Sequence, residues 1–185
     1  LVIVSSESQE VLDAVSEANV GGPRLDRRPM YLSADDMLPT EIIKYLLRQG
    51  LQAEYDYAMC IQPDIPFRTT EDINAMIDIA VKNDADFVGS FRPFRQKPVT
   101  LDGDGRIQES DFLGFSEYFR PTGTYLYRTS VLMTTEKYGR AFAYLPPKRS
   151  YAVDIDELSD LQTARALSEL WEPQRERATE ETGEF

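Results

Sequence analysis

The densest chemistry in this chain lies in Val153-Asp154-Ile155-Asp156, followed by Glu157-Leu158-Ser159-Asp160-Leu161. If residues 153–156 are extended, the two-residue period puts Asp154 and Asp156 on one face and turns Val153 and Ile155 into the core. Two carboxylates pointing the same way suit a hard divalent cation such as Mg²⁺, which takes oxygen ligands and bridges one or two carboxylates to substrate phosphates. The alternative reading is that Asp156 caps the helix that starts next and Asp154 is solvated. The chain has no histidine, which excludes Ser-His-Asp and Cys-His triads and histidine-ligated zinc. Chemistry must rest on carboxylates, Arg, Lys, hydroxyls, amides and any metal.

The elements that must position this pair are drawn from a chain of 185 residues, enough for one domain with a substantial core. A net charge of −12 opposes binding to nucleic acid or to an anionic membrane through bulk electrostatics. Small phosphates would need a local cationic pocket or a metal. Of 20 basic residues only Lys44, Lys82, Lys97, Lys137 and Lys148 are lysine, so the cationic side chains are mostly guanidinium. The lone cysteine, Cys60, sits in an apolar run and reads as buried core. A protein without a disulfide fits a reducing cytoplasm. No stretch approaches a membrane span and no signal-peptide pattern opens the chain, so a soluble cytoplasmic protein is expected.

The apolar pattern alternates strand and helix. Leu1-Val2-Ile3-Val4 reads as a buried strand, and Val11, Leu12, Val15 and Ala18 follow helical spacing behind a capping box of Ser6 and Gln9. Arg24 to Asp36 is polar and reads as a loop at the site. Pro39 suits a first helical turn, and Ile42, Ile43, Leu46 and Leu47 form a stripe that stops at Gly50. Tyr57 to Ile61 is the clearest buried strand, leading into the stiff loop Gln62-Pro63-Asp64-Ile65-Pro66-Phe67-Arg68. Thr69 and Asp72 bracket a helix whose stripe is Ile73, Met76, Ile77, Ala80 and Val81. A strand over 85–90 follows. Asp102-Gly103-Asp104-Gly105 between short apolar runs signals a hairpin, a candidate dimerisation arm over about 95–122. Strands are expected near 119–127 and 141–145. Leu158, Leu161, Ala164, Leu167 and Trp171 give the last helix its packing face, and 172–185 reads as a polar tail. Strand, polar turn and amphipathic helix in alternation imply an α/β fold with sites at the carboxyl ends of the strands.

Several of these stretches resemble the cytidylyltransferases that activate acidic sugars, above all CMP-sialic acid synthetases. Val2-Ile3-Val4-Ser5-Ser6-Glu7-Ser8 is similar to the family's Val-Ile-Val-Ser-Thr-Asp-Ser. Arg28-Pro29 to Asp35-Asp36 matches its Arg-Pro-x-x-Leu-x-x-Asp loop, and Gln62 to Arg68 resembles Gln-Pro-Thr-Ser-Pro-Leu-Arg. Phe119-Arg120-Pro121-Thr122-Gly123 resembles Phe-Arg-Pro-Asn-Gly, and Val153 to Asp156 resembles Ile-Asp-Ile-Asp before the same helix. Order and spacing agree over residues 1–171, which the resemblance assigns to one cytidylyltransferase-like domain. The implied fold is a three-layer, Rossmann-like nucleotidyltransferase with a mostly parallel sheet and an inserted antiparallel dimerisation arm.

The resemblance implies a reaction of CTP with an acidic 2-keto sugar, a sialic acid or related nonulosonic acid, giving a CMP-sugar and pyrophosphate. It assigns Asp154 and Asp156 to Mg²⁺, with Asp156 also accepting the hydroxyl proton, and it gives Gln62 the task of orienting the sugar. Arg120 and Lys97 would contact substrate anions from the arm, which reaches into the partner's site in a homodimer; taken alone, each reads as a surface charge. Arg28, Asp35, Thr40 and Arg68 match positions around the substrates, although Gln62 and Arg68 read equally well as structural groups that hold their loop. Departures are visible too. No stretch resembles the family's opening Ile-Pro-Ala-Arg-x-Gly-Ser-Lys phosphate loop, and the chain starts where the family's second strand would lie. Glu7, Asp64-Ile65 and Met37-Leu38-Pro39-Thr40 replace family residues around the pocket, so the sugar is left open, including 3-deoxy-manno-octulosonic acid. Asp154-Ile155-Asp156 is also formally the Asp-x-Asp of nucleotide-sugar glycosyltransferases, though it precedes the final helix rather than following a mid-chain strand. A dimeric homologue without catalysis is the remaining alternative.

Overall fold

Residues 1–18, 21–34, 36–94, 118–135 and 137–181 are described by a computed structural model, the side chains of 94, 118 and 171–181 excepted. Asp35, Lys97 and most of the expected arm lie outside the described residues. Where composition suggested one domain, the chain divides into two units, Leu1–Asp56 and Tyr57–Phe185.

In the first unit, β1 (Ile3–Ser6) is followed by α1 (Gln9–Glu17), β2 (Arg24–Arg27) and α2 (Pro39–Leu47), with short 3-10 turns at Met30–Leu32 and Leu51–Ala53. β1 is half-buried, and Leu1 and Val2 before it are exposed. The cap of α1 is Ser8, whose hydroxyl accepts from the Val11 amide at 3.4 Å, while Ser6 accepts from the Ser8 amide at 3.1 Å. Ser6 thus shapes the turn and does not cap the helix. β2 falls where a loop was expected. Its pattern carries one apolar residue, Leu25, and what makes it a strand is backbone pairing parallel to β1, Ile3 opposite Arg24 through Ser6 opposite Arg27. α2 starts on Pro39, whose missing N–H costs nothing in the first turn, and buries Ile43 and Leu47.

The second unit contains β3 (Tyr57–Ile61), α3 (Thr70–Lys82), β4 (Phe87–Phe94), β5 (Tyr118–Arg128), α4 (Thr129–Thr134), β6 (Ala141–Tyr144) and α5 (Leu158–Glu181), with a 3-10 turn at Lys148–Tyr151. Its sheet has the order β3-β5-β4-β6. β5 runs antiparallel to both β3 and β4, and β6 is parallel to β4. The fold is α/β, as expected, but its four-stranded sheet is mixed: among the described residues parallel pairing joins β1 with β2 and β4 with β6. α3 packs on this sheet, laying Met76 and Ala80 against Ala85, Val88 and Leu126. Two members of its predicted stripe, Ile77 and Val81, stay exposed because the contact needs only the narrower Met76–Ala80 edge. Cys60, expected in the core, is half-buried.

The ladder between β4 and β5 is irregular between Gly89 and Phe91. Pro121 lies opposite Phe91 just past that point, where a residue without an N–H is best tolerated. Beyond it Arg92 is opposite Arg120. α5 continues to Glu181, past Trp171, the last residue of its expected packing face, where a tail was expected. Glu, Gln, Arg and Ala dominate that stretch, and all favour helix on intrinsic propensity.

Candidate active site

Two loops of the second unit meet at one backbone bond. The amide of Ile155 donates to the carbonyl of Asp64 at 2.9 Å, which fastens the segment carrying Asp154 and Asp156 to the Gln62–Arg68 loop. The segment is not a strand. It runs irregularly from the 3-10 turn at Lys148–Tyr151 to α5, with Val153 buried, Asp154 half-buried and Asp156 exposed. The expected strand does not form because the segment bonds to the Asp64 loop instead of to a neighbouring strand. Both carboxylates nevertheless bear on the same point. Burial first, then the charge of Asp154 and more weakly that of Asp156, pushes the Asp64 carboxyl above its ordinary range.

The helix-cap reading of Asp156 is also settled. The carboxylate that caps α5 belongs to Asp160, whose Oδ2 accepts from the amides of Asp156 at 3.1 Å and Glu157 at 3.0 Å. Asp160 at the third helical position reaches back, as the acidic member of a capping box does. That arrangement leaves the Asp156 side chain facing solvent.

Gln62 and Arg68 frame the other side. The Gln62 amide donates to the Gly123 carbonyl at 2.9 Å, and the Arg68 guanidinium donates to the carbonyls of Gln62 and Thr122, both at 3.3 Å. Arg68 is therefore a brace between the loop and β5, the structural role the sequence left open. Gly123 has φ +64°, and a Cβ there would lie 3.0 Å from Oε1 of Gln62 and 3.4 Å from Oδ1 of Asp64. Glycine lets the β5 backbone approach these two side chains. Arg120 stands at 3.9 Å from Asp154 with its side chain 52% exposed, within its own chain. A cavity of about 10 Å³ in the same unit has a mixed lining, with Arg68, Asp72, Ser90 and Thr122 on its polar side and Ile65 and Met76 on its apolar side. It has room for about one water, so it is not where a nucleotide binds.

Arg28 and Thr40 belong to the first unit. Arg28 pairs with Glu7 at 2.5 Å and donates to Ser33 at 3.1 Å; the hydrogen bond from Arg28 holds the Glu7 carboxyl below its ordinary value. Thr40 lies half-buried in the first turn of α2. Within the second unit the structure brings together Gln62, Arg68, Arg120, Asp154 and Asp156. It adds Asp64, whose buried Oδ1 has no hydrogen-bond partner among the described residues. The sequence signal for Asp64 was its place two residues beyond Gln62 in a proline-stiffened loop.

The donor set can be tested against Mg²⁺. Among the described residues no group of three or more acidic or cysteine side chains forms a metal cage. A hard cation held by one or two carboxylates, with phosphate oxygens and water completing its shell, needs no such cage. Asp154 and Asp156 are carboxylates of the type such sharing uses, and the buried Oδ1 of Asp64, whose carboxyl feels both their charges, lacks a hydrogen-bond partner among the described residues.

No family model matches the chain. It is similar to CMP-N,N'-diacetyllegionaminic acid synthase from Legionella pneumophila, 24% identical over 182 residues that cover 91% of this chain and 78% of the relative. Among solved structures it is similar to CMP:2-keto-3-deoxy-manno-octonic acid synthetase complexed with CTP, with TM-score 0.62 and 15% identity over 91% of this chain and 80% of that one. A 4-diphosphocytidyl-2C-methyl-D-erythritol synthase gives TM-score 0.64 and 16% identity over 90% and 81%. The α/β fold is the Rossmann-like one that these solved synthases share.

Proposed function

We propose that this cytidylyltransferase-like chain transfers CMP from CTP to an acidic 2-keto sugar of the nonulosonic class and releases pyrophosphate. The observation that carries this reading is the junction of the Gln62–Arg68 loop with the Asp154–Asp156 segment through Ile155 and Asp64, beside Arg120. The similarity to a synthase for CMP-diacetyllegionaminic acid supports the acceptor class.

In the reaction the anomeric hydroxyl oxygen bonds to the α-phosphorus while the bond from that phosphorus to the bridging oxygen breaks. Pyrophosphate departs, and the hydroxyl proton passes to a base. The Asp156 carboxylate is exposed and takes no part in the helix cap, to which the residue gives only its amide; this suits it to take that proton. Asp154 and Asp156 would hold Mg²⁺, which when bound offsets the charge on the phosphates. The Gln62 side chain offers an amide for orienting the sugar. Arg120, with over half its side chain in solvent, offers donors for a substrate oxyanion. A homodimer built through the residues around 95–122 and a cytoplasmic location complete the proposal. An unpaired Cys60 fits a reducing compartment, and among the described residues no helix is long and apolar enough to cross a membrane.

The deciding experiment measures pyrophosphate release from CTP by the full-length protein with a panel of acids that includes diacetyllegionaminic, N-acetylneuraminic and 3-deoxy-manno-octulosonic acids. One acid should be turned over, and Asp154→Asn should lower kcat about 100-fold or more, beyond the loss typical of groups that merely support a metal ligand. No release with any acid, or an Asp154→Asn variant as active as the parent, would overturn the reading.

A further inference from the structure

Past the irregularity at Gly89 and Phe91, Arg92 of β4 lies directly opposite Arg120 of β5. Residues opposite one another in an antiparallel pair share a face of the sheet, and like charges so placed repel. The Ser90 and Thr122 hydroxyls bond to each other at 2.5 Å and tie the two strands together at the irregularity. Both guanidiniums are then held by one short stretch of chain. Arg92 lies over the ring of Tyr151, 5.8 Å from its centroid. Arg120 stands 3.9 Å from Asp154, three residues further on.

Neither contact uses up the donors of its arginine. Stacking on Tyr151 engages the flat face of the Arg92 guanidinium and leaves its N–H edge open. A separation of 3.9 Å is too long for a hydrogen bond, so Asp154 orients Arg120 without binding its donors. Two arginines placed opposite each other on one sheet face, in a chain of net charge −12, are explained by an anion that both receive.

We propose that Arg92 is a further substrate-binding residue, which with Arg120 forms a two-guanidinium clamp for the carboxylate of the sugar acid. Planar forks match a planar carboxylate bidentately, and the acceptor carries that group next to the reacting anomeric carbon. Tyr151 is a positioning residue that holds Arg92 flat. The clamp rests on the function proposed above, and a phosphate of CTP is the competing oxyanion.

The test is a kinetic split on the full-length protein. Arg92→Gln should raise KM for the sugar acid about tenfold or more, as loss of a charge-assisted hydrogen bond implies, with KM for CTP within about twofold. Arg92→Lys should recover part of the loss. The parent should prefer the free acid to its methyl ester by about tenfold or more, and Arg92→Gln should lose that preference. An unchanged preference, or a rise confined to KM for CTP, would overturn the clamp. If the parent turns over no acid, the function fails by itself, and the clamp is judged by titrating parent and Arg92→Gln with N-acetylneuraminate and with inorganic phosphate. Neuraminate binding that weakens in the variant supports it; equal binding, or weakening toward phosphate alone, rejects it.

Discussion

Asp156 and Asp160 are four residues apart, carry the same functional group, and do different work. Asp160 accepts from the amides of Asp156 and Glu157 and so closes the first turn of α5. Asp156 lends only its backbone to that cap and exposes its carboxylate. Asp160→Ala should therefore lower stability by about 1 kcal/mol, the usual cost of a lost helix cap, with kcat little changed. Asp156→Asn should keep the melting temperature of the parent within a degree or so and lower kcat about 100-fold or more, a loss too large for a solvated surface charge. Thermal melts and steady-state assays on the two variants check the pair. The opposite pattern would return Asp156 to the helix and remove it from the chemistry. Sequence could pose this choice but not make it, because either aspartate has the right type and spacing to cap.

Between elements, the Asp72 carboxylate ties α3 to β6. It closes the capping box of α3 with Thr69 and accepts from the Tyr144 hydroxyl of β6 at 2.6 Å. Burial raises its carboxyl, but hydrogen bonds from Tyr144, the Thr69 backbone and Ser150 outweigh this and hold it below the ordinary aspartate value. A carboxyl depressed in the folded state adds stability above its unfolded pKa of about 3.9, and that stability disappears as pH falls through the lower folded value. Asp72→Ala should cost about 2 kcal/mol at pH 7, one cap plus a stranded buried hydroxyl. The gap between parent and variant should close below about pH 4. Denaturant unfolding at a series of pH values reads both.

How much of these elements was legible follows from what made each one. α3 announced itself through Thr69, Asp72 and the Met76–Ala80 edge because capping and apolar spacing are local signals. β3 and α2 were legible for the same reason. β2 was not, since Arg24–Arg27 is a strand only by pairing with β1. Neither was α4, a six-residue turn of helix whose polar start resembles the loops around it. The reversed direction of β5 between β3 and β4 is a tertiary fact that strand propensity does not encode. The site was legible as motifs, Gln62 to Arg68, Arg120 and Asp154 to Asp156. Arg92 was missed because only its register opposite Arg120 gives it meaning.

Across the molecule, 32 acidic residues against 20 basic ones make self-repulsion a general cost of folding. Monovalent salt should screen it, so NaCl between about 10 and 150 mM, spanning Debye lengths of about 30 to 8 Å, should raise the melting temperature of any variant that keeps the net charge within one or two. A divalent cation acts in the same way and also through any site that holds it. These two effects separate at matched ionic strength. In the parent, Mg²⁺ should add a saturable increase over NaCl; at ten times its dissociation constant this amounts to about 1.4 kcal/mol, or a few degrees for a protein of this size. Asp154→Asn should respond to NaCl as the parent does, with its melting temperature already raised slightly by the relief of one charge beside Asp64, and should lose the magnesium increment. An increment of equal size in the variant would mean that Mg²⁺ acts only as a screening ion, and the assignment of Asp154 to the metal would fall while the screening argument stood.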